Sequence, residues 1–237
     1  MKLYFLLEGV GSEMQAYPSW VSELLPEINT YSCTEDFEIF KANDNSSYFI
    51  SGEGYPNLLD RIDNAIVDIE SVGNVDYFFV ILDSDEDQIE DRYQAVLEQC
   101  QNSDLSRDVK LCIIVQKRCF ETLVLGNQKY IPRNPEPNPK PNMESYWDLF
   151  QYYNVHTNDP EDMGHYNDSY THSQFHAHYA KKALWEKRII YSKGKIGIVG
   201  SGDYIRGIEK RINDTGHLES IHPLFDFIYE IREKLTA

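Results

Sequence analysis

The chain has 237 residues, 41% of them hydrophobic, and a formal net charge of −17. This composition excludes a disordered chain, and no apolar run approaches the roughly 20 residues of a membrane-spanning helix. Because phosphate affinity comes from Lys and Arg, the acidic balance also argues against a protein that binds nucleic acid over its whole surface.

The N-terminal segment and the cysteines both favour a cytoplasmic protein. Residues 1–11 lack the apolar core and the small-residue cleavage site of a signal peptide, and they are typical of a first strand. The cysteines form no CxxC pair and show no zinc spacing: Cys33, Cys100, Cys112 and Cys119. We therefore expect reduced thiols, as in most cytosolic proteins.

The first half of the chain alternates between strand and helix patterns. Continuous apolar runs predict buried strands at 2–9, 75–85 and 108–116. Helical spacing and helix-end signals predict helices at 12–26, 56–72, 90–102 and 117–127. The segments 37–42 and 46–52 are predicted to pair as two strands around a turn. This order predicts an α/β fold, with a Rossmann-like, mostly parallel sheet flanked by helices.

A proline-rich stretch at 130–142 interrupts this pattern and predicts a stiff, extended connector. It separates an α/β core at 1–129 from a mostly helical, basic region at 143–237, which we expect to pack on the core. Helices are predicted there at 143–155, 175–192 and 222–235. The segment 176–211 holds nine basic and three acidic residues, so positive charge is concentrated in this part of the chain.

Carboxylates stand at the ends of two predicted strands. Glu8 ends the first strand, and Glu13 comes five residues later. Asp83, Asp85 and Asp87 stand at the end of a later strand. Because neighbouring parallel strands lie about 5 Å apart and end at the same edge of a sheet, we expect these acids to converge on one divalent cation such as Mg²⁺. The alternative is that they only cap the helices that follow.

Three segments around these acids resemble the motifs of a known family. They are LLEGVGSEMQAY at 6–17, VILDSDED at 80–87 and IIVQKRCFETLVLGN at 113–127. Over residues 1–127 the chain resembles Toprim-like nucleases, in particular the RloB-like and OLD-like Toprim proteins of bacterial phage-defence systems. Primases and topoisomerases of this fold carry a glycine soon after Asp-x-Asp, and its absence from 86–91 favours the nuclease branch.

The resemblance implies a Toprim-like core and an endonuclease that uses Mg²⁺ or Mn²⁺ to cleave DNA or RNA, tRNA included, in antiviral defence. By this resemblance the catalytic residues are Glu8, Asp83 and Asp85. The metal ligands it implies are Glu8, Glu13, Asp83, Asp85, Asp87 and Glu121. It also implies an ABC- or SMC-type ATPase partner on another chain, because this chain has no Walker A motif. Assembly as a homo-oligomer stays open.

The predicted basic helix supplies candidate contacts to nucleic acid. Four basic residues are expected to contact phosphates: Lys181, Lys182, Lys187 and Arg188. Tyr179 and Trp185 are the candidate stacking residues beside them. The alternative is a solvated helix face whose aromatic side chains pack inward. His172 and His176 have the spacing of a zinc pair, but no Glu lies between them as the HExxH motif requires.

Two other classes of function stay open. A nucleotide-sugar glycosyltransferase would use Asp83 and Asp85 as its metal-holding pair, but this function leaves Glu8 and Glu13 unexplained. A non-catalytic interaction or regulatory subunit would bind a basic partner through its acidic surface, and the net charge of −17 supports it. Tight binding of a divalent cation would separate the metal-dependent enzymes from the interaction subunit, because an acidic interaction surface needs no converging carboxylates.

Overall fold

The computed structural model describes residues 1–137 and 145–236. Its strands are β1 (Lys2–Leu7), β2 (Asn29–Tyr31), β3 (Ser46–Ser51), β4 (Tyr77–Asp83) and β5 (Lys110–Gln116). They form one all-parallel sheet in the order β2–β3–β1–β4–β5. The predicted α/β class, with a Rossmann-like parallel sheet, is confirmed.

Helices follow most of the strands and also form the C-terminal region. The first group is α1 (Ser12–Leu24), α2 (Phe37–Ala42), α3 (Asn57–Val72), α4 (Ile89–Asn102) and α5 (Phe120–Val124). The second group is α6 (Tyr146–Tyr152), α7 (His172–Glu186), α8 (Gly202–Thr215) and α9 (His222–Thr236). Glycine in the left-handed conformation ends two of them, with φ of 76° at Gly73 after α3 and 72° at Gly216 after α8.

Helices cover both faces of the sheet, because side chains alternate along each strand and both sets are apolar. On one face, Tyr4 and Leu6 of β1 pack in a buried cluster with α2, α3 and α4. On the other face, Leu3, Phe5 and Leu7 pack with α1 and with the helices of the C-terminal region. One apolar cluster therefore joins the first and last thirds of the chain on this second face.

The predicted strand pair at 37–42 and 46–52 is wrong. Residues 37–42 form α2, and β3 pairs in parallel with β1 and with β2, a strand that was not predicted. A six-residue apolar pattern suits a helix or a strand, and the burial of Phe40 against the sheet favours the helix. Parallel strands also need a crossover connection, which α2 provides between β2 and β3.

The basic helix is shorter than the predicted range 175–192. It begins at His172, because Thr171 caps its first turn. It ends at Glu186, and Arg188 then adopts left-handed backbone with φ of 59°. The chain then turns through a short antiparallel bridge between Ser192 and Lys195, where Lys193 contacts Ser12 at the start of α1.

The predicted connector at 130–142 lies partly outside the described residues, which stop at 137 and resume at 145. Its first residues are packed: Ile131 is buried, and Tyr130 stacks on Tyr204 of α8 with ring centroids 5.2 Å apart. Among the helices of the described ranges, none has the length and apolar character needed to cross a membrane.

An alanine at Gly207 of α8 is expected to destabilise the protein. The new methyl group would lie 2.6 Å from Cγ of Asn127, whose buried amide donates to the carbonyl oxygen of Tyr204 at 2.8 Å. Although Gly→Ala in a helix normally gains about 1 kcal/mol, this clash predicts a net loss of about 1–3 kcal/mol. Urea denaturation measures it, with Gly194→Ala as the control, because a methyl group there meets no described atom within 4 Å. Equal unfolding free energies for the two variants would contradict this packing.

Candidate active site

A cleft opens at the carboxyl ends of β1, β4 and β5. The parallel register pairs Leu7 with Ile81 and Asp83 with Gln116, so the residues that end these strands meet at one edge of the sheet. The cleft contains a cavity of about 340 Å³. Its charged lining residues are Glu8, Glu13, Glu53, Asp83, Asp85, Glu121 and Lys193.

Glu8 follows β1 and is held by two backbone amides. Its Oε2 accepts a hydrogen bond from the N–H of Asp83 at 2.8 Å, and its Oε1 accepts one from the N–H of Tyr55 at 3.2 Å. Burial raises the pKa of Glu8, and the charge of Asp85 acts in the same direction. The two hydrogen bonds and the nearby Arg92 oppose this rise. The carboxylate therefore has a fixed orientation across the β1–β4 edge.

Glu13 lies in the first turn of α1 and is only 7% exposed. Its Oε1 makes no hydrogen bond within the described residues. Burial, reinforced by the charges of Glu8 and Glu121, raises the pKa of Glu13 to about 8, although Lys193 acts against it. A buried carboxyl group with an unused oxygen is a group that a cation would stabilise.

Asp83 ends β4, and its two oxygens accept separate hydrogen bonds. Oδ1 accepts from Nε2 of Gln116 at 2.9 Å, and Oδ2 accepts from the N–H of Phe120 at 3.3 Å. The hydroxyl of Tyr17 donates to Oε1 of Gln116 at 2.7 Å. This bond fixes the orientation of the buried amide, so that its Nε2 faces Asp83. Burial and the neighbouring carboxylates, Glu13 first among them, raise the pKa of Asp83.

Glu121 receives a contact from the C-terminal region. It lies in α5 and is 4% exposed. Tyr191, in the segment after α7, donates its hydroxyl hydrogen to Oε1 of Glu121 at 3.0 Å. The Tyr191 oxygen also lies 3.4 Å from the hydroxyl of Ser12 at the start of α1. The region beyond the connector thus completes one wall of the cleft.

Asp85 and Asp87 differ in their placement. Asp85 lines the cleft with a left-handed backbone (φ 49°), and its N–H donates to the carbonyl oxygen of Arg118 at 2.8 Å. Asp87 instead forms an ion pair with Arg92, with Oδ2 2.9 Å from Nη2. Among the six expected metal ligands, all of them in the described part of the chain, Asp87 alone does not line the cleft.

The donor set suits a hard divalent cation. We call the remaining five acids the carboxylate cluster: Glu8, Glu13, Asp83, Asp85 and Glu121. Their oxygens are the ligands that Mg²⁺ and Mn²⁺ prefer. In the described ranges, no three His, Cys, Asp or Glu side chains are already grouped closely enough to hold a metal ion. Burial disfavours the ionised forms of Glu8, Glu13 and Asp83 and raises their pKa values, and Oε1 of Glu13 has no partner among the described residues; a divalent cation in the cleft would stabilise the ionised forms.

Four residues that shape this cleft were not among the predicted site residues: Tyr17, Gln116, Tyr191 and Lys193. The backbone of Lys193 is anchored on α1, where its carbonyl oxygen accepts from Nε2 of Gln15 at 3.4 Å and from the hydroxyl of Ser12 at 3.5 Å. This anchor holds a cationic side chain beside Glu13. The excess of basic residues in 176–211 is the one sequence signal that includes Lys193.

A second cavity, of about 590 Å³, continues the cleft along α7. It shares four residues with the first cavity: Asp83, Asp85, Glu121 and Lys193. Lys181 of α7 also lines this second cavity. Lys182 is half-buried, and Lys187 and Arg188 are exposed just beyond the end of the helix. Of the four expected phosphate contacts, Lys181 is therefore the one that lines the same cavity as the carboxylates.

Three other candidates on α7, namely Tyr179, His176 and His172, have partners within the fold, whereas Trp185 is exposed. Tyr179 is fully buried in the apolar core, so it cannot stack on a ligand. His176 is also buried, bonded to the hydroxyl of Thr122 at 2.7 Å, and burial lowers its pKa to about 4. His172 pairs instead with Glu86, with Nδ1 2.6 Å from Oε2. The two histidines therefore have separate partners.

Replacing Tyr17 by Phe is expected to destabilise the protein by about 1–3 kcal/mol, because it leaves Oε1 of the buried Gln116 without a donor. Tyr152→Phe is the matched control. Its hydroxyl donates to the carbonyl oxygen of His165 at the surface, where the loss is expected to stay within about 0.5 kcal/mol. Urea denaturation of the two variants measures the difference. Equal effects would show that the Tyr17–Gln116 bond contributes no more than an exposed one.

Comparisons of the chain with protein-family models, with curated proteins and with solved structures found no match.

Proposed function

We propose that this protein is a divalent-cation-dependent endonuclease that hydrolyses phosphodiester bonds. One observation carries the proposal. The carboxylate cluster brings acids from the ends of β1 and β4 and from α1 and α5 to one cleft, where the buried Oε1 of Glu13 has no partner among the described residues. Acids that only stabilise the fold usually cap a helix or pair with a cation, as Asp87 does with Arg92.

Four members of the carboxylate cluster, Glu13, Asp83, Asp85 and Glu121, would hold the cation in this proposal. When bound, Mg²⁺ or Mn²⁺ supplies charge stabilisation at the reacting phosphate and makes water more acidic. Glu8 is the candidate proton acceptor for the attacking water, because two amide hydrogen bonds orient its carboxylate at the edge of the cleft. Lys193 stands beside the cluster, where its ammonium group would contact the phosphate.

The substrate and the setting follow from the resemblance of three segments and from the charge pattern. The proposed substrate is DNA or RNA, contacted through the basic residues of 176–211. With a net charge of −17, the isolated chain is expected to bind nucleic acid weakly, so the proposal includes an ABC- or SMC-type ATPase partner. We also propose that the protein is cytoplasmic and acts in anti-phage defence.

A glycosyltransferase explains the cleft less well, because its metal-holding pair accounts for Asp83 and Asp85 and leaves Glu8, Glu13 and Glu121 without a role. An acidic interaction protein accounts for the net charge of −17. It does not account for carboxylates that are buried together, because an interaction surface must be exposed.

Calorimetry and a cleavage assay test the proposal together. Wild-type protein is titrated with Mg²⁺ and with Mn²⁺, and it is then incubated with supercoiled plasmid, single-stranded DNA and total tRNA. We expect saturable cation binding and cleavage that stops when EDTA is added, and the substrate that is cut separates DNA from RNA. The assay is repeated with any ABC- or SMC-type ATPase encoded beside the protein. Neither cation binding nor cleavage in any of these reactions would refute the nuclease and favour the acidic interaction protein.

A further inference from the structure

One side of α7 continues the cleft away from the carboxylate cluster. Gln174, Ala177, His178 and Lys181 line the second cavity, and their spacing of three and four residues places them on one side of the helix. Trp185 follows Lys181 by four residues, so it stands next in this line, one turn beyond Lys181. We call this line of side chains, from Gln174 to Trp185, the α7 stripe. Its last two turns, from Ala177 to Trp185, span about 12 Å.

Trp185 is exposed to an unusual degree for its size. It is 66% accessible to solvent, whereas Trp20 is 1% accessible, and Tyr179 and Leu184 hold α7 to the core. Ile190, just beyond the end of the helix, is 60% accessible and adds to the exposed apolar surface. Trp185 follows Lys181, which lines the second cavity, by one helical turn, and burial of its exposed indole against another molecule would be favourable.

The chain segment that contains Trp185 is basic, although the chain as a whole is acidic. Between 181 and 195 there is one acidic residue, Glu186, and there are six basic ones: Lys181, Lys182, Lys187, Arg188, Lys193 and Lys195. An exposed aromatic ring among Lys and Arg side chains is the combination that binds a nucleic-acid strand, because the cations contact phosphates and the ring stacks on a base.

We infer that the α7 stripe binds a single strand of nucleic acid, with one base stacked on Trp185 and the backbone passing Lys181 toward the carboxylate cluster. This inference rests on the proposed nuclease function for the role of the cluster, and it names the substrate class as DNA or RNA that is single-stranded beside the cleaved bond. The physical reason is that an indole stacks only on an exposed base face, and the internal bases of a duplex are already stacked on each other.

Fluorescence anisotropy of short labelled oligonucleotides tests the inference. The arms are single-stranded DNA, single-stranded RNA of the same sequence and the blunt duplex, in EDTA so that no cleavage occurs. We expect Trp185→Ala to weaken single-strand binding about tenfold and Trp185→Phe to keep most of the affinity. Tyr93→Ala is the matched control, because it removes an aromatic ring that is 37% exposed on α4, against the opposite face of the sheet. We expect it to leave the affinity unchanged.

Two further readouts separate stacking from a general loss of binding. A base stacked on Trp185 is expected to quench the tryptophan emission of the wild type, and Trp185→Phe is expected to bind the strand without this quenching. Lys181→Ala is expected to reduce the slope of log affinity against log salt concentration by about 0.7, the value for one phosphate contact to a single strand.

Three results would overturn the inference: equal single-strand affinity of the wild type and Trp185→Ala, tighter binding of the duplex than of the single strand, or no binding of any strand. The last result is checked again in Mg²⁺ with the Glu8→Gln protein, which keeps the other four carboxylates of the cluster and is expected not to cleave. Because binding is measured without cleavage, Trp185-dependent binding supports the α7 stripe even where no cleavage is detected. If the protein cleaves nucleic acid but Trp185→Ala does not change the affinity, the nuclease activity is supported and binding of the strand by the α7 stripe is refuted.

Discussion

Asp83→Asn is expected to lower the rate of Mg²⁺-dependent phosphodiester cleavage by about a thousandfold or more while the protein stays folded. Asp83 contributes its carboxylate to the edge where β1, β4 and β5 end, and both of its oxygens are oriented by Gln116 and Phe120. The neutral oxygen of an amide binds a hard cation more weakly than a carboxylate does and neutralises none of its charge, so a large loss of rate is expected. Single-turnover cleavage of the substrate identified for the wild type measures it.

The same substitution is expected to raise stability when no divalent cation is present. Burial and the neighbouring acids raise the pKa of Asp83, which means that its ionised form destabilises the folded state at neutral pH. A higher melting temperature together with lost cleavage is the result expected of a functional carboxylate. Unfolding of Asp83→Asn at a lower temperature than the wild type would instead indicate that Asp83 serves the fold.

Asp87→Asn provides the matched control four residues away. Asp87 pairs with Arg92 and is exposed, so its loss is expected to change the cleavage rate by less than about threefold. Glu8→Gln is expected to behave like Asp83→Asn, because Glu8 is the candidate proton acceptor. Equal rates for the wild type, Glu8→Gln and Asp83→Asn would remove the carboxylate cluster from the chemistry.

Without divalent cations, the melting temperature of the wild type is expected to fall by roughly 5–10 °C between pH 5 and pH 8. The folded-state pKa of Glu13 is about 8, against 4.5 as its ordinary value. Between these values the folded protein keeps the Glu13 proton while the unfolded chain releases it, so rising pH favours unfolding. Scanning calorimetry in EDTA across this pH range measures the slope.

Glu13→Gln is expected to flatten this slope, raise the melting temperature at pH 8 and reduce the stabilisation that Mg²⁺ gives. Glu161 is the contrasting site, since burial raises its pKa to about 7 outside the cleft, where it accepts hydrogen bonds from Ser220. Glu161→Gln should therefore alter the pH slope and leave the response to Mg²⁺ intact. An identical Mg²⁺ response of the wild type and Glu13→Gln would exclude Glu13 as a ligand.

The sequence was sufficient to predict the long elements and the edge at which acids would meet. β1, β4 and β5 are marked by apolar runs that suit a sheet buried on both faces, and α1, α3 and α4 by helical spacing. These are local signals, since a few turns or one strand contain enough residues to define the period. The carboxyl ends of parallel strands share one edge, which is why Glu8 and Asp83 were expected together and lie together in the cleft.

Short elements were beyond the reach of the sequence pattern. β2 has three residues and α2 has six, so neither contains enough of a period to be identified. Their conformation depends on contacts with other parts of the fold. β2 is a strand because it pairs with β3, and α2 is a helix because Phe40 packs in the apolar cluster on one face of the sheet.

By itself the sequence determined the chemistry available at the cleft: the acids that end the strands and the basic segment 176–211. The tertiary structure decided which of these side chains meet. In the folded protein Asp87 forms an ion pair with Arg92, and Lys193 lies beside Glu13. Tyr179 is buried in the core, whereas Trp185 is exposed to solvent. The physical reason is that a residue's local pattern defines its helix or strand, whereas its neighbours come from chain reversals such as the one after α7, which places Lys193 against Ser12, 181 residues away.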